Sequence, residues 1–189
     1  RQLRAIGIEA ACVLLEPFAR NTAAVAAVAA AWTKEHANGA LALLAPADHF
    51  IEDAAALRSA VASGCVAASR GAIVTIGIKP TEPHTGFGYI ECGAPVAESV
   101  FEVAAFREKP QRDVAEQYLA GGRHFWNAGM FLFAPDAMDD ELAMHAPAIR
   151  RAAAAALARA PKTRVAMLDA IAFADCPSES IDYAVMEKT

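Results

Sequence analysis

The chain has 189 residues, a formal net charge of −5 and 56% hydrophobic residues, enough for one sizeable core and too apolar for a disordered segment. The acidic balance and the lack of any Lys/Arg cluster argue against nucleic-acid binding, and no run of about 18 apolar residues marks a membrane span. Cys12, Cys65, Cys92 and Cys176 are scattered, with no C-x-x-C pair and no leader peptide in view, so they read as free thiols in a reducing cytoplasm.

The chain opens at Arg1 without an initiator Met, directly into a helical pattern, and ends at Thr189 within another element; a segment of a longer protein is expected. Cys12 to Leu15 reads as a strand. Asn21 is positioned to cap a helix whose apolar face is Val25, Val28, Ala29 and Trp32. Leu41 to Ala45 is a continuous apolar run, as expected of a strand buried on both faces of a parallel sheet. A loop with Asp48 follows, then a helix from about Glu52 to Ser69 and a strand from Ala72 to Ile78. The Pro-, Gly- and Thr-rich stretch Lys79 to Gly88 is a loop. Tyr89 to Cys92 and Val100 to Phe106 read as a strand pair, ended at Pro110, which cannot donate to a ladder. A helix from about Gln111 to Ala120 buries Val114, Tyr118 and Leu119 and stops at Gly121-Gly122. Met130 to Phe133 is a further strand with Trp126-Asn127 at its entrance, and Pro135 starts a helix. From there to about residue 172 the pattern is mostly helical, broken at Pro147 and Pro161, and Ser180 can cap a last helix. Alternating strands and helices predict an α/β fold with a mainly parallel sheet.

The candidate chemistry lies at strand ends. Glu108, Lys109 and Asn127 would converge if their strands are neighbours, offering a carboxylate, an ammonium and an amide to a polyhydroxylated anion. The alternative is a strand-end ion pair with a turn Asn. Asp48, just past a strand's carboxyl end, could hold a hard divalent cation or simply cap a turn. Asp182 is a second carboxylate of that kind, equally explained by its place at a helix N-terminus. Thr85-Gly86-Phe87-Gly88-Tyr89 permits close backbone approach to a ligand, or is a plain loop, and is not a dinucleotide fingerprint. Glu16, Arg20, Asn21 and Thr22 link a strand to a helix and could read a base edge; a capped helix entry explains Asn21 but not Glu16 or Arg20. The five histidines show no zinc spacing, and neither a G-x-S-x-G elbow nor a P-loop is present.

In order, Leu15-Glu16-Pro17 with Arg20-Asn21-Thr22-Ala23, Pro46 with Asp48-His49, Thr85-Gly86-Phe87-Gly88-Tyr89-Ile90-Glu91, Phe106 with Glu108-Lys109-Pro110, Trp126-Asn127 with Gly129-Met130-Phe131, and Ser180 to Lys188 resemble the sugar-phosphate nucleotidylyltransferases, most closely the bacterial mannose-1-phosphate guanylyltransferases. The resemblance implies a Rossmann-like, GT-A-like nucleotidyltransferase fold with a mixed, mainly parallel sheet flanked by helices. It implies GTP and mannose 1-phosphate as substrates, GDP-mannose for polysaccharide biosynthesis as product, and Mg²⁺ on Asp48 and Asp182. Gly88, Glu108, Lys109 and Asn127 would bind the sugar phosphate, with Lys109 also catalytic. Glu16, Arg20, Asn21 and Thr22 would line the nucleotide pocket.

The family's glycine-rich phosphate loop, with its Arg and Lys, has no counterpart in these residues. Residues 1–189 are therefore expected to be a partial nucleotidyltransferase domain, without the first strand–helix unit and without the C-terminal β-helix or isomerase domain of some relatives. Such a chain alone is expected to bind nucleotide weakly and turn over poorly. Ala47, Phe87 and Arg107 depart from commoner residues beside the implied ligands. A nucleotidylyltransferase for another sugar 1-phosphate and a non-catalytic sugar-nucleotide-binding module remain as alternatives, and oligomeric state, a homodimer included, stays open.

Overall fold

The computed structural model describes residues 2–37 and 39–189. A short helix α1 (Gln2–Ala5) leads to β1 (Val13–Leu15), α2 (Asn21–His36), β2 (Ala42–Leu44), α3 (Ala54–Ser69) and β3 (Val74–Ile78). The hairpin β4 (Tyr89–Ala97) and β5 (Val100–Arg107) follows, then α4 (Arg112–Gly121) and the long strand β6 (His124–Phe133). The chain continues through α5 (Pro135–His145), α6 (Pro147–Ala158), β7 (Val165–Met167) and α7 (Ala170–Ala174) to a π-helical turn, Asp182–Met186. Among the described residues no helix is long and apolar enough to cross a membrane.

β6 organises the larger sheet. Its Phe131 and Leu132 pair with Leu44 and Leu43 of β2 on one edge, and with Thr75 and Val74 of β3 on the other. Its Trp126 pairs with Tyr89 of β4 and with Ile78 of β3. Thus β2 and β4 share one edge of β6 in succession, β3 takes the opposite edge, and β5 lies outside β4. Gly129 interrupts β6 at φ +66, a conformation open to glycine at little cost. Between the pairs Thr75–Phe131 and Gly77–Asn127 the register shifts, so β6 bulges there and re-aims its side chains.

The expectation of a mixed sheet flanked by helices holds, but its pairing differs from a mainly parallel sheet. Among the described residues only β1 with β7 pairs in parallel, in a separate two-stranded sheet; every pair described in the larger sheet is antiparallel. Leu43 is 42% exposed, so the run Leu41 to Ala45 is not buried on both faces. An apolar run does not specify the direction of its neighbours. Strand β7 falls in a stretch expected to be helical, and β6 starts six residues before Met130.

The core lies where α2, α5, α6 and the final turn cover β6. Its members include Val28, Phe131, Phe133, Met138, Leu142, Ile149, Phe173, Ile181 and Val185. α2 contributes Ala23, Ala24, Ala26, Ala27 and Ala30, small side chains that let neighbouring helices approach closely. The predicted face of α2 is partly wrong: Val28 is buried, whereas Val25 is 41% exposed. A helix that is alanine on nearly every side gives little directional pattern to read. At its start, Asn21 takes φ +65 and accepts the adjacent Thr22 N–H at 2.9 Å, instead of capping the second or third amide.

Candidate active site

The entrance of β4 draws three segments together. Gly88 O accepts from Asn127 N at 2.8 Å, and Phe87 O accepts from Lys109 N at 3.2 Å. Glu108, Lys109 and Asn127 therefore converge, although β5 and β6 are not neighbours; β4 stands between them and supplies Gly88. A Cβ on Gly88 would meet Glu108 Oε2 at 2.5 Å and Asn127 Cβ at 3.4 Å, so glycine is required for the carboxylate to sit where it does. The Glu108 side chain is only 10% exposed and its Oε1 lies 3.3 Å from Lys109 Nζ, which is 57% exposed. Lys109 takes φ +47, a strained conformation for a non-glycine residue.

The final turn closes this cradle from below. Asp182 Oδ1 accepts from Asn127 Nδ2 at 2.9 Å, and Glu187 Oε1 accepts the backbone N–H of Glu108 at 2.8 Å. The turn is π-helical, with Glu187 N donating to Asp182 O at 3.0 Å, a widened geometry frequent at functional sites. Burial, then the negative charge of Glu108, raise the pKa of Asp182; Lys109 and the Ser180 hydroxyl act the other way. Asn127 Oδ1 accepts from Thr75 Oγ1 at 2.8 Å and from Gly129 N at 3.0 Å. Beside the cradle, His84 stacks on Phe87 with centroids 4.0 Å apart, and Phe87 meets Trp126 edge-on at 5.2 Å.

The residues between β1 and α2 lie against the other side of the final turn. Thr22 Oγ1 accepts from Ile181 N at 2.9 Å, and Ala23 N donates to Glu179 O at 3.2 Å. Arg20 donates to Ala174 O at 2.8 Å, its guanidinium lies 5.7 Å from the Phe18 ring centroid, and its Nε is buried without a partner. Glu16 lies on the exposed rim, yet partial burial raises its carboxyl. Asn21 is exposed, with its side-chain oxygen turned back to Thr22. Thr22 and Arg20 thus hold the loop to the body of the molecule.

Asp48 is exposed in the turn after β2. A Cβ on Gly129 would lie 3.7 Å from Pro46 Cγ, which seats this loop against the bulge beside Asn127. Among the described residues no three His, Cys, Asp or Glu side chains gather closely enough to hold a metal by themselves. Three functional candidates escaped the sequence reading. Thr75 reads as an ordinary β-branched strand residue, Glu187 lies inside a quoted motif without a role, and His84 carries no signal beyond its neighbourhood.

Residues 1–175 match the family described as Nucleotidyl transferase. Xanthan biosynthesis protein XanB of Xanthomonas campestris pv. campestris (strain B100) is 45% identical over 189 residues, which is 100% of this chain and 40% of that protein. A protein named mannose-1-phosphate guanylyltransferase from Sinorhizobium fredii is 42% identical over 196 residues, 100% of this chain and 37% of its own length. The chain thus spans about 40% of the length of the curated relatives it matches. A solved structure of mannose-6-phosphate isomerase from Helicobacter pylori superposes with a TM-score of 0.86 at 30% identity, over 99% of this chain and 72% of that one. With the glycine-lined cradle, the matched span and these relatives, the chain belongs to the nucleotidyl transferase family.

Proposed function

We propose that the protein carrying this chain transfers GMP from GTP to α-mannose 1-phosphate, giving GDP-mannose and pyrophosphate, and that residues 1–189 form part of its nucleotidyltransferase domain. The observation that carries the reading is the convergence of Glu108, Lys109, Asn127 and Asp182 around a glycine whose missing side chain leaves the space. A relative named mannose-1-phosphate guanylyltransferase and one named for xanthan biosynthesis support it. The four free cysteines suit a reducing, cytoplasmic setting.

The residues suit in-line transfer, which needs no protein nucleophile. A phosphate oxygen of the sugar phosphate attacks the α-phosphorus, the new P–O bond forms, and the bond to the β-phosphate breaks with pyrophosphate leaving. Lys109 places its ammonium where phosphate charge gathers, and Glu108 accepts from sugar hydroxyls. Glu187 anchors the Glu108 backbone and so fixes the direction of that carboxylate. Glu16, Arg20, Asn21 and Thr22 form the wall offered to the guanine. Asp182 and Asp48 are hard oxygen donors suited to Mg²⁺, and the mutual repulsion of Asp182 and Glu108 is what a cation would offset. When bound, the ion neutralises phosphate charge.

Pyrophosphate release from the intact protein tests the reading. GTP with mannose 1-phosphate is expected to give turnover well above UTP, dTTP or glucose 1-phosphate in its place. Preference for another pair would reassign the substrates. Tight GDP-mannose binding with no turnover would make the protein a binding module.

A further inference from the structure

Both ends of the Asn127 amide are already engaged inside the protein. Oδ1 accepts from Thr75 Oγ1 at 2.8 Å and Gly129 N at 3.0 Å, and Nδ2 donates to Asp182 Oδ1 at 2.9 Å. These partners dictate which end is oxygen. A backbone N–H only donates and an ionised carboxylate only accepts, so the flipped amide would lose both bonds. A carbonyl oxygen has two lone pairs, and here both are occupied. What remains free is one hydrogen on Nδ2.

We propose that Thr75 is a positioning residue of the sugar subsite: by taking the second lone pair of Asn127 Oδ1, it leaves Asn127 able to meet the substrate only as a donor. Glu108, pressed against Gly88, is an acceptor only. The subsite then has a fixed polarity. The ligand oxygen at Asn127 must accept, and the hydroxyl at Glu108 must donate. A sugar with an oxygen missing or inverted at either contact leaves a half-buried protein group unpaired, which is how hydrogen-bonding sites reject near-analogues. The bulge in β6 makes this contact available: Thr75 pairs with Phe131, yet its hydroxyl reaches Asn127, four positions earlier in the chain. The inference rests on the sugar-phosphate reading and specifies its selectivity.

Thr75→Val keeps the β-branched shape and removes the hydroxyl; Thr75→Ser restores the hydroxyl. In the intact protein, Thr75→Val is expected to lower kcat/KM for mannose 1-phosphate about tenfold, mainly through KM, and to erode its preference over the C-2 epimer glucose 1-phosphate by a similar factor. Thr75→Ser should stay within about twofold of the parent. A second readout needs no substrate. The Asn127 Nδ2 proton bonded to Asp182, followed by nitrogen–proton NMR, should exchange slowly in the parent and in Thr75→Ser, and faster in Thr75→Val, where the amide is held by one bond fewer. Unchanged discrimination and unchanged amide exchange in Thr75→Val would overturn the proposal. So would fast exchange of the Asp182-bonded proton in the parent, which needs no variant to fold. Loss of amide protection in Thr75→Val, in a protein that turns over neither sugar phosphate, would retain the positioning role and reject the assigned reaction.

Discussion

Oε2 of Glu108 occupies the space that a side chain on Gly88 would fill, 2.5 Å from the Cβ position. Glu108 directly follows β5 and Gly88 directly precedes β4, so a side chain added at Gly88 must displace the carboxylate.

Gly88→Ala is the direct probe of that relationship. The displaced atom is the tip of a flexible side chain, so the fold should tolerate the methyl with a Tm change of no more than about 2–4 °C. The carboxylate, however, must swing away. KM for the sugar phosphate should rise about tenfold or more, as expected when a charged hydrogen bond is lost. A normal KM in a variant that folds normally would show that Glu108 does not face the sugar.

Asp182→Asn should separate stability from activity. The folded state raises the pKa of Asp182, so this group favours folding below its ordinary value of 3.8 and opposes it as pH rises through the higher folded value. Replacing it with Asn, which still accepts from Asn127 Nδ2, removes the penalty. The variant should therefore melt above the parent at neutral pH, with the gap closing as pH falls below 3.8, while turnover is lost. Melting curves across pH decide the matter; a gap that widens in acid contradicts it.

Asp48 sits in an exposed turn and supports nothing in the core. Asp48→Asn should leave Tm within about 2 °C of the parent and lower kcat by about 10²-fold or more, the scale of a lost charge-stabilising group. Chelation of divalent ions should abolish pyrophosphate release, and added Mg²⁺ should restore it. Full activity in a chelator would remove the metal from the proposal.

Asp53 provides a control, a helix cap with no role in the proposed chemistry. Its Oδ1 accepts from Ala55 N and Ala56 N, both at 2.9 Å, at the start of α3. Asp53→Ala should cost about 1 kcal/mol, a shift in Tm of about 2–4 °C, with kcat/KM unchanged. A concurrent loss of activity would mean that α3 communicates with the site.

The polar endpoints of the candidate site were legible in the sequence only as an ordered set, Glu108-Lys109 before Pro110, Asn127 two residues before Gly129, and Asp182 within Ser180 to Lys188, since each alone has an ordinary structural explanation. How they meet was not. Glu108 and Asn127 come together through Gly88 on an intervening strand, an arrangement set by pairing order, which side-chain patterns do not encode. Strand β7 is three residues long, too short to show alternation next to alanine-rich helices. Thr75 was invisible for a related reason: its role arises from a register shift on the strand opposite. The direction of β2 was misjudged because Leu41 to Ala45 looks the same whether its neighbour runs with it or against it.

The bonds that build the cradle join residues far apart along the chain. Thr75 to Asn127 spans 52 positions, Asn127 to Asp182 spans 55, Glu108 to Glu187 spans 79 and Thr22 to Ile181 spans 159. Closing such loops is entropically costly and comes late in folding. During synthesis the elements from β2 to α5 can form while the substrate pocket does not yet exist. Only when residues 180–189 dock between Thr22 and Asn127 is the proposed sugar-phosphate cradle assembled. Ligand binding at this cradle therefore also reports that segments up to 159 positions apart have closed upon one another.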